Sequence, residues 1–353
     1  MLIFYTLFII ICVFGWVSAK SYKFAENQTN TALSVVVCCK NEQENLPFLL
    51  RSLETQISDI EQIIFANDNS TDETLKILQD FSKKFSNVKF FSTKDFGKKN
   101  ALKEAMQFVE NEYVITFDAD CIVPQNYFLS VKSFLMQNQP DLMIGGVKLI
   151  ENGTFFQKIQ TLEFASLIAS GAGAALAGFP IMCNGANLAF RKNIWQDAEN
   201  HLVTKEISGD DVFLLHYIKK IGGKISFFKA NNAFVETFAA RNFGEFLRQR
   251  QRWASKSRSY SDWQTICVAL LVFGLNFLLI FSAFGAFFSE IFLKYFLLIF
   301  CSKMIIDSVL LIPFLIFTKQ KKLIKLIPLL SFFYPFYIIL TTIFGVFGKV
   351  RWK

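Results

Sequence analysis

The sequence predicts an α/β fold with a mostly parallel sheet and helices on both faces, joined to membrane-spanning helices at the N- and C-terminal ends. Two observations support this prediction. Strand-like and helix-like runs alternate from residue 32 to residue 143, and the order βαβαβαβ favours parallel strands covered by helices. Apolar residues also concentrate at the start of the chain and from residue 264 onward, as in a globular domain fused to membrane segments.

The alternating runs can be placed one by one. The strand-like runs are short and apolar, whereas the helix-like runs space their apolar residues three or four positions apart, as at Leu46, Leu49, Leu50 and Leu53. Strands are predicted at LSVVVCC (33–39), QIIFAND (62–68), NVKFFS (87–92) and EYVITFDAD (112–120). Helices are predicted between them at 42–56, 71–85 and 97–111.

The apolar segments predict contact with a membrane. Residues 2–19 are uncharged and just long enough to cross a bilayer. An uncleaved anchor is favoured over a cleaved signal peptide, because the positively charged start of a signal peptide is missing. Further spans are expected at about 265–288, 292–317 and 326–347. The predicted domains are an N-terminal transmembrane anchor (1–20), a cytoplasmic domain (31–240), an amphipathic interface helix (241–263) and a C-terminal transmembrane region of about three helices (264–353).

Basic residues predict the orientation of a multi-pass protein in the cell inner (plasma) membrane. The lysines after the first apolar segment, the basic run 241–258 and KQKKLIK (319–325) all favour the cytoplasm. With four spans, the basic residues of 349–353 would lie outside, which leaves open that one apolar segment is interfacial or re-entrant. Lys303 and Asp307 lie within the third span at i, i+4 spacing, either as a bridging pair or as a functional group.

Composition excludes several classes of protein. The net charge of +8 could favour nucleic acid, but the densest basic run precedes an apolar segment and therefore indicates contact with membrane lipid. The seven cysteines show no C-x-x-C spacing and no disulfide framework. With two histidines, a histidine-rich metal site is excluded and a general base is expected to be a carboxylate.

Carboxylates follow two of the predicted strands. Asp68 ends one, and Asp118 and Asp120 end another. Residues one apart in an extended chain point to the same side, so the latter two can converge on one cation. Because Mg²⁺ is usually held by one or two carboxylates with substrate phosphates, a site for a metal and a diphosphate is expected at this sheet edge. Asp72 is explained by turn and helix-cap chemistry.

Two later segments also carry candidate residues. Asp210 and Asp211 begin a helix-like run, where acids could simply favour the positive helix end. Gln249, Arg252 and Trp253 lie at i, i+3 and i+4, so a helix would place them side by side. Their apolar and basic surroundings are also typical of a helix lying in the membrane interface.

Taken in order, these motifs resemble the inverting family-2 glycosyltransferases with a GT-A fold, of the membrane-attached kind that includes cellulose, hyaluronan and poly-N-acetylglucosamine synthases. The likeness runs from about residue 33 to residue 253. One departure is Asn67, where the family usually has the first Asp of its acidic turn. The motifs are SVVVCCKNEQENL, FANDNSTDET, FGKKNALKEA, FDAD, CNGANLAFRKNIW, SGDDVFLL and QRQRW.

The resemblance implies roles for individual residues. Asp211 would be the general base, with Asp210 beside it, and Asp118 and Asp120 would hold Mg²⁺ or Mn²⁺. Asp68 would contact the uracil of a UDP-sugar. For Lys98, a solvated position at a helix start is the alternative. The nucleotide-sugar-binding residues would be Cys38, Glu42, Asp68, Lys98, Asp118, Gln249, Arg252 and Trp253.

The expected function is transfer of a sugar from a nucleotide-sugar to a glycan or lipid-linked acceptor at the cytoplasmic membrane face, with no nucleic acid involved. Within that class, both a processive enzyme and one that makes a single glycolipid bond remain open. The alternatives outside it are a metal-dependent nucleotidyltransferase and a non-catalytic nucleotide-sugar-binding subunit of an export complex. The small-residue segment 164–180 is expected to be a helix packed near the membrane or the acceptor.

Overall fold

The computed structural model describes residues 1–23, 31–150, 153–199 and 209–347. Within these residues the core is a seven-stranded sheet of order β3-β2-β1-β4-β7-β5-β8, with a parallel pair, β6 and β9, beside it. The strands are β1 (Leu33–Cys39), β2 (Gln62–Asn67), β3 (Val88–Ser92), β4 (Tyr113–Asp118), β5 (Leu142–Gly145), β6 (Val147–Ile150), β7 (Leu188–Arg191), β8 (Ile225–Phe228) and β9 (Val235–Phe238).

Helices cover both faces of the sheet and continue into an apolar bundle. The first four predicted strands and the three helices between them are confirmed, with each helix somewhat shorter than its predicted run. The helices are α1 (Leu2–Ser18), α2 (Leu46–Glu54), α3 (Thr74–Ser82), α4 (Lys98–Met106), α5 (Tyr127–Asn138), α6 (Phe155–Leu176), α7 (Lys192–Glu199), α8 (Asp210–Lys220), α9 (Phe243–Ser255), α10 (Trp263–Gly285), α11 (Glu290–Phe317) and α12 (Ile327–Phe347).

β1, β2 and β4 form because both of their faces can be buried. All residues of β2 are buried, and β1 is buried except at Cys38, as expected for a parallel sheet covered on both sides. The turn between β2 and α3 is fixed by Asp72, whose carboxylate accepts hydrogen bonds from the N–H groups of Thr74 (3.0 Å) and Gln43 (3.1 Å). The turn role expected for Asp72 is therefore present.

One central strand runs against the others. β7 lies between β4 and β5 and is antiparallel to both. The segment before β7 is held by the Thr116 hydroxyl, which donates a hydrogen bond to the carbonyl of Gly185 at 2.7 Å. This arrangement brings the loop 183–187 to the same sheet edge as the end of β4.

Four helices are long and apolar enough to cross a membrane, by length and composition, within the described residues: Phe155–Leu176, Trp263–Gly285, Glu290–Phe317 and Lys321–Gly345. Three of them match the predicted C-terminal segments. α1 has 17 residues and is about 25 Å long, slightly less than a bilayer core. Residues 348–353, which include the C-terminal basic positions, lie outside the described residues.

α1 is held by specific contacts within the apolar bundle. A Cβ on Gly173 of α6 would lie 2.5 Å from the carbonyl oxygen of Cys12 of α1, so the two backbones approach closely through small residues. The Tyr5 hydroxyl donates a hydrogen bond to Asp307 (2.6 Å), which also pairs with Lys303 (2.5 Å). The Lys303–Asp307 pair is thus a bridging pair that joins α11 to α1. The predicted helix at 164–180 is present as the second half of α6.

Candidate active site

The carboxyl ends of β1, β2 and β4 lie side by side, because the three strands are parallel and in register. Cys38 pairs with Ala66 of β2 and with Asp118 of β4. The first turn of α8 and the last turns of α9 close over this sheet edge and enclose a cavity of about 260 Å³. The predicted site residues that line this cavity are Cys38, Lys98, Asp118, Asp120, Asp210, Asp211, Gln249, Arg252 and Trp253.

Two predicted residues, Asp68 and Glu42, lie beside the cavity and are not among the described residues of its wall. Asp68 is 2% exposed. Its carboxylate accepts hydrogen bonds from the N–H of Gly97 (2.9 Å) and the ammonium of Lys40 (3.3 Å). Glu42 lies close enough to raise the pKa of Asp120. In this structure Asp68 therefore holds the turn that begins α4.

The paired carboxylates at the end of β4 differ in their surroundings. Asp118 forms an ion pair with Lys98, whereas Asp120 receives a hydrogen bond from Thr237 of β9. Burial, the Asp118 carboxylate and Glu42 together raise the pKa of Asp120 to about 6. A cation at this position would relieve that repulsion, so the residues fit a divalent metal.

The carboxylates alone do not form a complete metal site. In the described part of the chain, no group of three or more His, Cys, Asp or Glu side chains is placed to hold a metal ion. Mg²⁺ is commonly bound by one or two carboxylates with substrate phosphates and water. The donor set of Asp118 and Asp120 therefore suits a cation that arrives with a diphosphate.

α8 starts at Asp210 because the residue before it, Gly209, has φ of 113°, a conformation that favours glycine. The Asp210 carboxylate lies 3.8 Å from the ammonium of Lys99. Burial outweighs this contact and raises the pKa of Asp210 to about 6. The Ser208 that opens the predicted SGDDVFLL motif lies outside the described residues.

Asp211 is surrounded by hydrogen-bond donors. Its carboxylate accepts hydrogen bonds from the ammonium of Lys256 (3.3 Å), the N–H of Gly185 (3.1 Å) and the N–H of Val212 (2.9 Å). Burial favours the neutral acid, but Lys256 and these N–H groups hold the pKa of Asp211 below its usual range. Asp211 is therefore an oriented, ionised carboxylate in the cavity wall. Sequence reasoning did not identify Lys256, because no motif marks it.

α9 brings Gln249, Arg252 and Trp253 to the cavity together, as its helical spacing predicts. Arg250, which follows Gln249 directly, was not predicted as a site residue and is 3% exposed. It donates a hydrogen bond to Gln249 at 2.8 Å and lies 4.2 Å from the centre of the Trp253 ring. Its other partner is the buried carboxylate of Glu163 on α6.

Part of the cavity wall is apolar. Phe164, Leu167 and Ile168 of α6 line it with Met182, and the rings of Phe164 and Trp253 are 5.8 Å apart. A helix with the length and composition of a membrane span thus contributes apolar side chains to a cavity that is also lined by charged residues. This wall had no chemical assignment from the sequence.

Comparisons with known proteins agree with this geometry. Residues 34–197 match Glycosyl transferase family 2. A poly-beta-1,6-N-acetyl-D-glucosamine synthase of Staphylococcus epidermidis is 27% identical over 237 residues, which cover 65% of this chain and 55% of that protein. The synthase of the same name from Staphylococcus aureus (strain COL) is 25% identical over 228 residues, which cover 63% of this chain and 53% of that protein. This chain spans about half the length of the curated relatives that it matches.

A solved structure supports the fold assignment. A mannosyltransferase from Pyrobaculum calidifontis, in complex with GDP-Man and Mn²⁺, aligns with a TM-score of 0.50 and 14% sequence identity, covering 95% of this chain and 99% of that one. At this identity the likeness concerns the fold alone. The sheet, the family match and the curated relatives lead to one conclusion: residues 34–197 carry a glycosyl transferase family 2 domain, and its fold is of the GT-A type.

Proposed function

We propose that the chain is an inverting glycosyltransferase that moves a sugar from a UDP-sugar to a glycan or lipid-linked acceptor, for synthesis of a cell-surface polysaccharide or glycolipid. The observation that carries this proposal is that two separate sets of carboxylates open into one cavity. Asp118 and Asp120 suit a cation-bound diphosphate, and Asp211 suits a hydroxyl that must lose a proton. With the leaving group and the nucleophile on opposite faces of the sugar, an α-linked donor gives a β-linked product.

The donor half of the cavity would bind the nucleoside diphosphate. Asp118 and Asp120 would hold Mg²⁺ or Mn²⁺, and the bound cation would neutralise the negative charge that develops on the leaving diphosphate. Lys98 already contacts Asp118 and would add positive charge at the same place. Arg252 and Gln249 approach from α9 and suit the diphosphate oxygens.

The acceptor half would orient a sugar hydroxyl. Asp211 would accept the proton of the attacking hydroxyl, since its donors already hold it ionised and aimed into the cavity. Trp253 offers an aromatic face on which an acceptor sugar could stack. The transition state of glycosyl transfer resembles an oxocarbenium ion, so a carboxylate close to the sugar also favours the developing positive charge.

Among sugars, we propose N-acetylglucosamine as the first candidate. The support is the curated relatives, which are synthases of a polymer of that sugar. Because the match covers only about half of those proteins, we do not assign their polymerising activity to this chain. A single transfer to a lipid-linked acceptor agrees with the apolar wall that α6 contributes to the cavity.

The site is proposed to lie at the cytoplasmic face of the inner membrane. The support is the position of α9, which packs against α12 and donates the Gln251 amide to the carbonyl of Phe344 at 3.1 Å. The apolar helices α10, α11 and α12 follow α9 directly, and the basic residues around α9 favour the cytoplasmic side. Reporter fusions after residues 23 and 318 test this, because both are expected to report the cytoplasm.

The product identifies the function. Membranes that contain the chain are incubated with labelled UDP-N-acetylglucosamine, and labelled products are separated by size and extractability and examined for anomeric configuration by NMR. A β-linked N-acetylglucosamine product that depends on Asp211 supports the proposal. An α-linked product would contradict the inverting mechanism, and a long polymer would replace the single-transfer interpretation with a processive one.

A further inference from the structure

Two neighbouring aspartates at the start of α8 have very different partners. The Asp210 carboxylate has Lys99 at 3.8 Å, which is a weak contact for a buried acid. Asp211 has the ammonium of Lys256 at 3.3 Å and two backbone N–H groups on its two oxygens. The pKa of Asp210 is raised to about 6, whereas that of Asp211 is lowered. Both carboxylates are buried, yet their pKa values shift in opposite directions. The hydrogen-bond partners of Asp211 therefore stabilise its ionised form by more than burial destabilises it.

Lys256 is held in place from both ends. It begins the short 3-10 helix Lys256–Ser259, directly after α9. Its aliphatic chain passes close to Gly209, where a Cβ would lie 3.2 Å from the Lys256 Cδ. Its side chain is 13% exposed. The ammonium therefore reaches Asp211 from the 3-10 helix that follows α9 and contacts α12.

Charged and titratable groups from several elements face Asp211. Lys256 and Lys98 provide positive charge, and Asp210 provides negative charge from the same helix turn. The thiol of Cys183 and the phenol of Tyr260 are neutral neighbours, whose pKa values are both raised, mainly by burial. Of these groups, Lys256 is the cation that makes a hydrogen bond to the Asp211 carboxylate.

We propose that Lys256 is a positioning residue that keeps the Asp211 carboxylate ionised and oriented toward the acceptor hydroxyl. The inference rests on the proposed function, in which Asp211 accepts the proton. Without the ammonium, Asp211 would keep two backbone N–H donors and the charge of Lys98 but would lose its hydrogen-bonded cation, and its pKa would rise toward that of Asp210. Because Lys256 directly follows α9, the position of α9 also determines whether the ammonium reaches Asp211.

The test compares the pH dependence of sugar transfer in Lys256→Met, Lys256→Arg and the unchanged chain. We expect Lys256→Met to lower the rate of sugar transfer moderately at pH 8, where only the orientation of Asp211 is lost, and to lose up to about tenfold more per pH unit relative to the unchanged chain as the pH falls into the acidic range. The ratio of variant to unchanged rate is used, because titration of Asp120 and Asp210 then cancels. Lys256→Arg should restore the profile. Lys220→Met, an exposed lysine on α8, is the control.

The possible results separate the inference from the proposed function. A ratio that is constant with pH, or a defect confined to the donor KM, would overturn the role of Lys256. If Lys256→Met lowers the thermal unfolding midpoint, Lys256→Gln is measured in its place and the same pH criterion decides. Asp211→Asn reports on the proposed function itself: if that variant transfers sugar at the unchanged rate, Asp211 is not the base and both conclusions fail. If Asp211→Asn is inactive while the Lys256→Met ratio is flat, only the inference fails.

Discussion

Arg250 and Glu163 form an ion pair in which both side chains are almost fully enclosed, at 2% and 3% exposure. The pair joins α9 to α6. Glu163 also accepts a hydrogen bond from the Tyr337 hydroxyl of α12 at 2.9 Å. Since Arg250 in turn contacts Gln249 and Trp253, two cavity residues depend on an ion pair that is buried between α9, α6 and α12.

Removing one partner of this pair should cost stability and activity together. Glu163→Gln leaves the Arg250 charge buried without its counter-ion, which typically costs about 3–5 kcal/mol. We expect a lower thermal unfolding midpoint in detergent and a loss of sugar transfer. The double variant Glu163→Leu with Arg250→Met should recover most of the stability, because apolar residues of similar size often replace a buried pair without loss.

The double variant separates stability from function. The double variant should still transfer sugar slowly, because the Gln249 side chain no longer receives a hydrogen bond from Arg250. The Trp253 ring also loses its contact with the Arg250 guanidinium. Full activity in a stable double variant would show that Arg250 is a packing residue without influence on the cavity.

Asp210→Asn should stabilise the chain at alkaline pH while reducing transfer. The folded-state pKa of Asp210 is raised from 3.8 to about 6, mainly by burial, so its ionisation opposes folding as pH rises from about 4 through 6. The full cost above pH 6 is on the order of 3 kcal/mol. The increase in the free energy of unfolding caused by Asp210→Asn should therefore be largest at pH 8, smaller at pH 5 and absent below about pH 4.

Thermal unfolding of both chains at pH 8 and pH 5 measures this difference. If Asp210→Asn lowers the unfolding midpoint at pH 8, the contact with Lys99 outweighs the desolvation of the carboxylate, and the assignment of the cost to burial is wrong.

Removing the metal should stop transfer. Because the carboxylates of Asp118 and Asp120 are expected to need a cation and the donor diphosphate together, EDTA should abolish nucleoside diphosphate release and added Mn²⁺ or Mg²⁺ should restore it. Asp120→Asn should lower the rate by about 100-fold or more. Asp80→Asn, at an exposed position on α3, is the matched control. Unchanged release after chelation and gel filtration would exclude a required divalent cation.

The contact between α1 and α6 should tolerate no added side chain. A Cβ on Gly173 meets backbone atoms of Cys12 within 3 Å, and backbone cannot move aside as a side chain can. Gly173→Val should therefore lower stability by about 1–3 kcal/mol. Gly244→Ala, whose Cβ would meet only side-chain atoms at 3.4 Å, should be neutral or slightly stabilising. Equal unfolding midpoints for Gly173→Val and the unchanged chain would show that α1 does not dock on α6.

Much of the sheet could be predicted from the sequence, because its strands carry local signals. β1 and β2 are short apolar runs buried on both faces, and the polar residues that follow strands mark the ligand edge, as seen at Asp68 and Asp118. The helical spacing of Gln249, Arg252 and Trp253 likewise predicts that their side chains lie side by side. These features depend on periodicity and on residues close together in the chain.

Other features depend on partners distant in sequence. Arg250 lies in a basic helix, where an arginine is normally solvated, and its burial depends on Glu163, 87 positions away. Lys256 carries no motif, and its contact with Asp211 joins residues that are 45 positions apart. β7 is four residues long and antiparallel, so no local pattern distinguishes it from a loop.

The central claim is that Asp118, Asp120 and Asp211 act on a nucleotide-sugar in one cavity. The most direct test purifies the chain in detergent or nanodiscs with Mg²⁺ or Mn²⁺ and membrane extract as acceptor. A panel of UDP- and GDP-sugars is then screened for nucleoside diphosphate release, beside Asp120→Asn and Asp211→Asn. We predict metal-dependent release from a UDP-sugar that both variants abolish. Release of pyrophosphate, or release that survives both substitutions, would contradict the account.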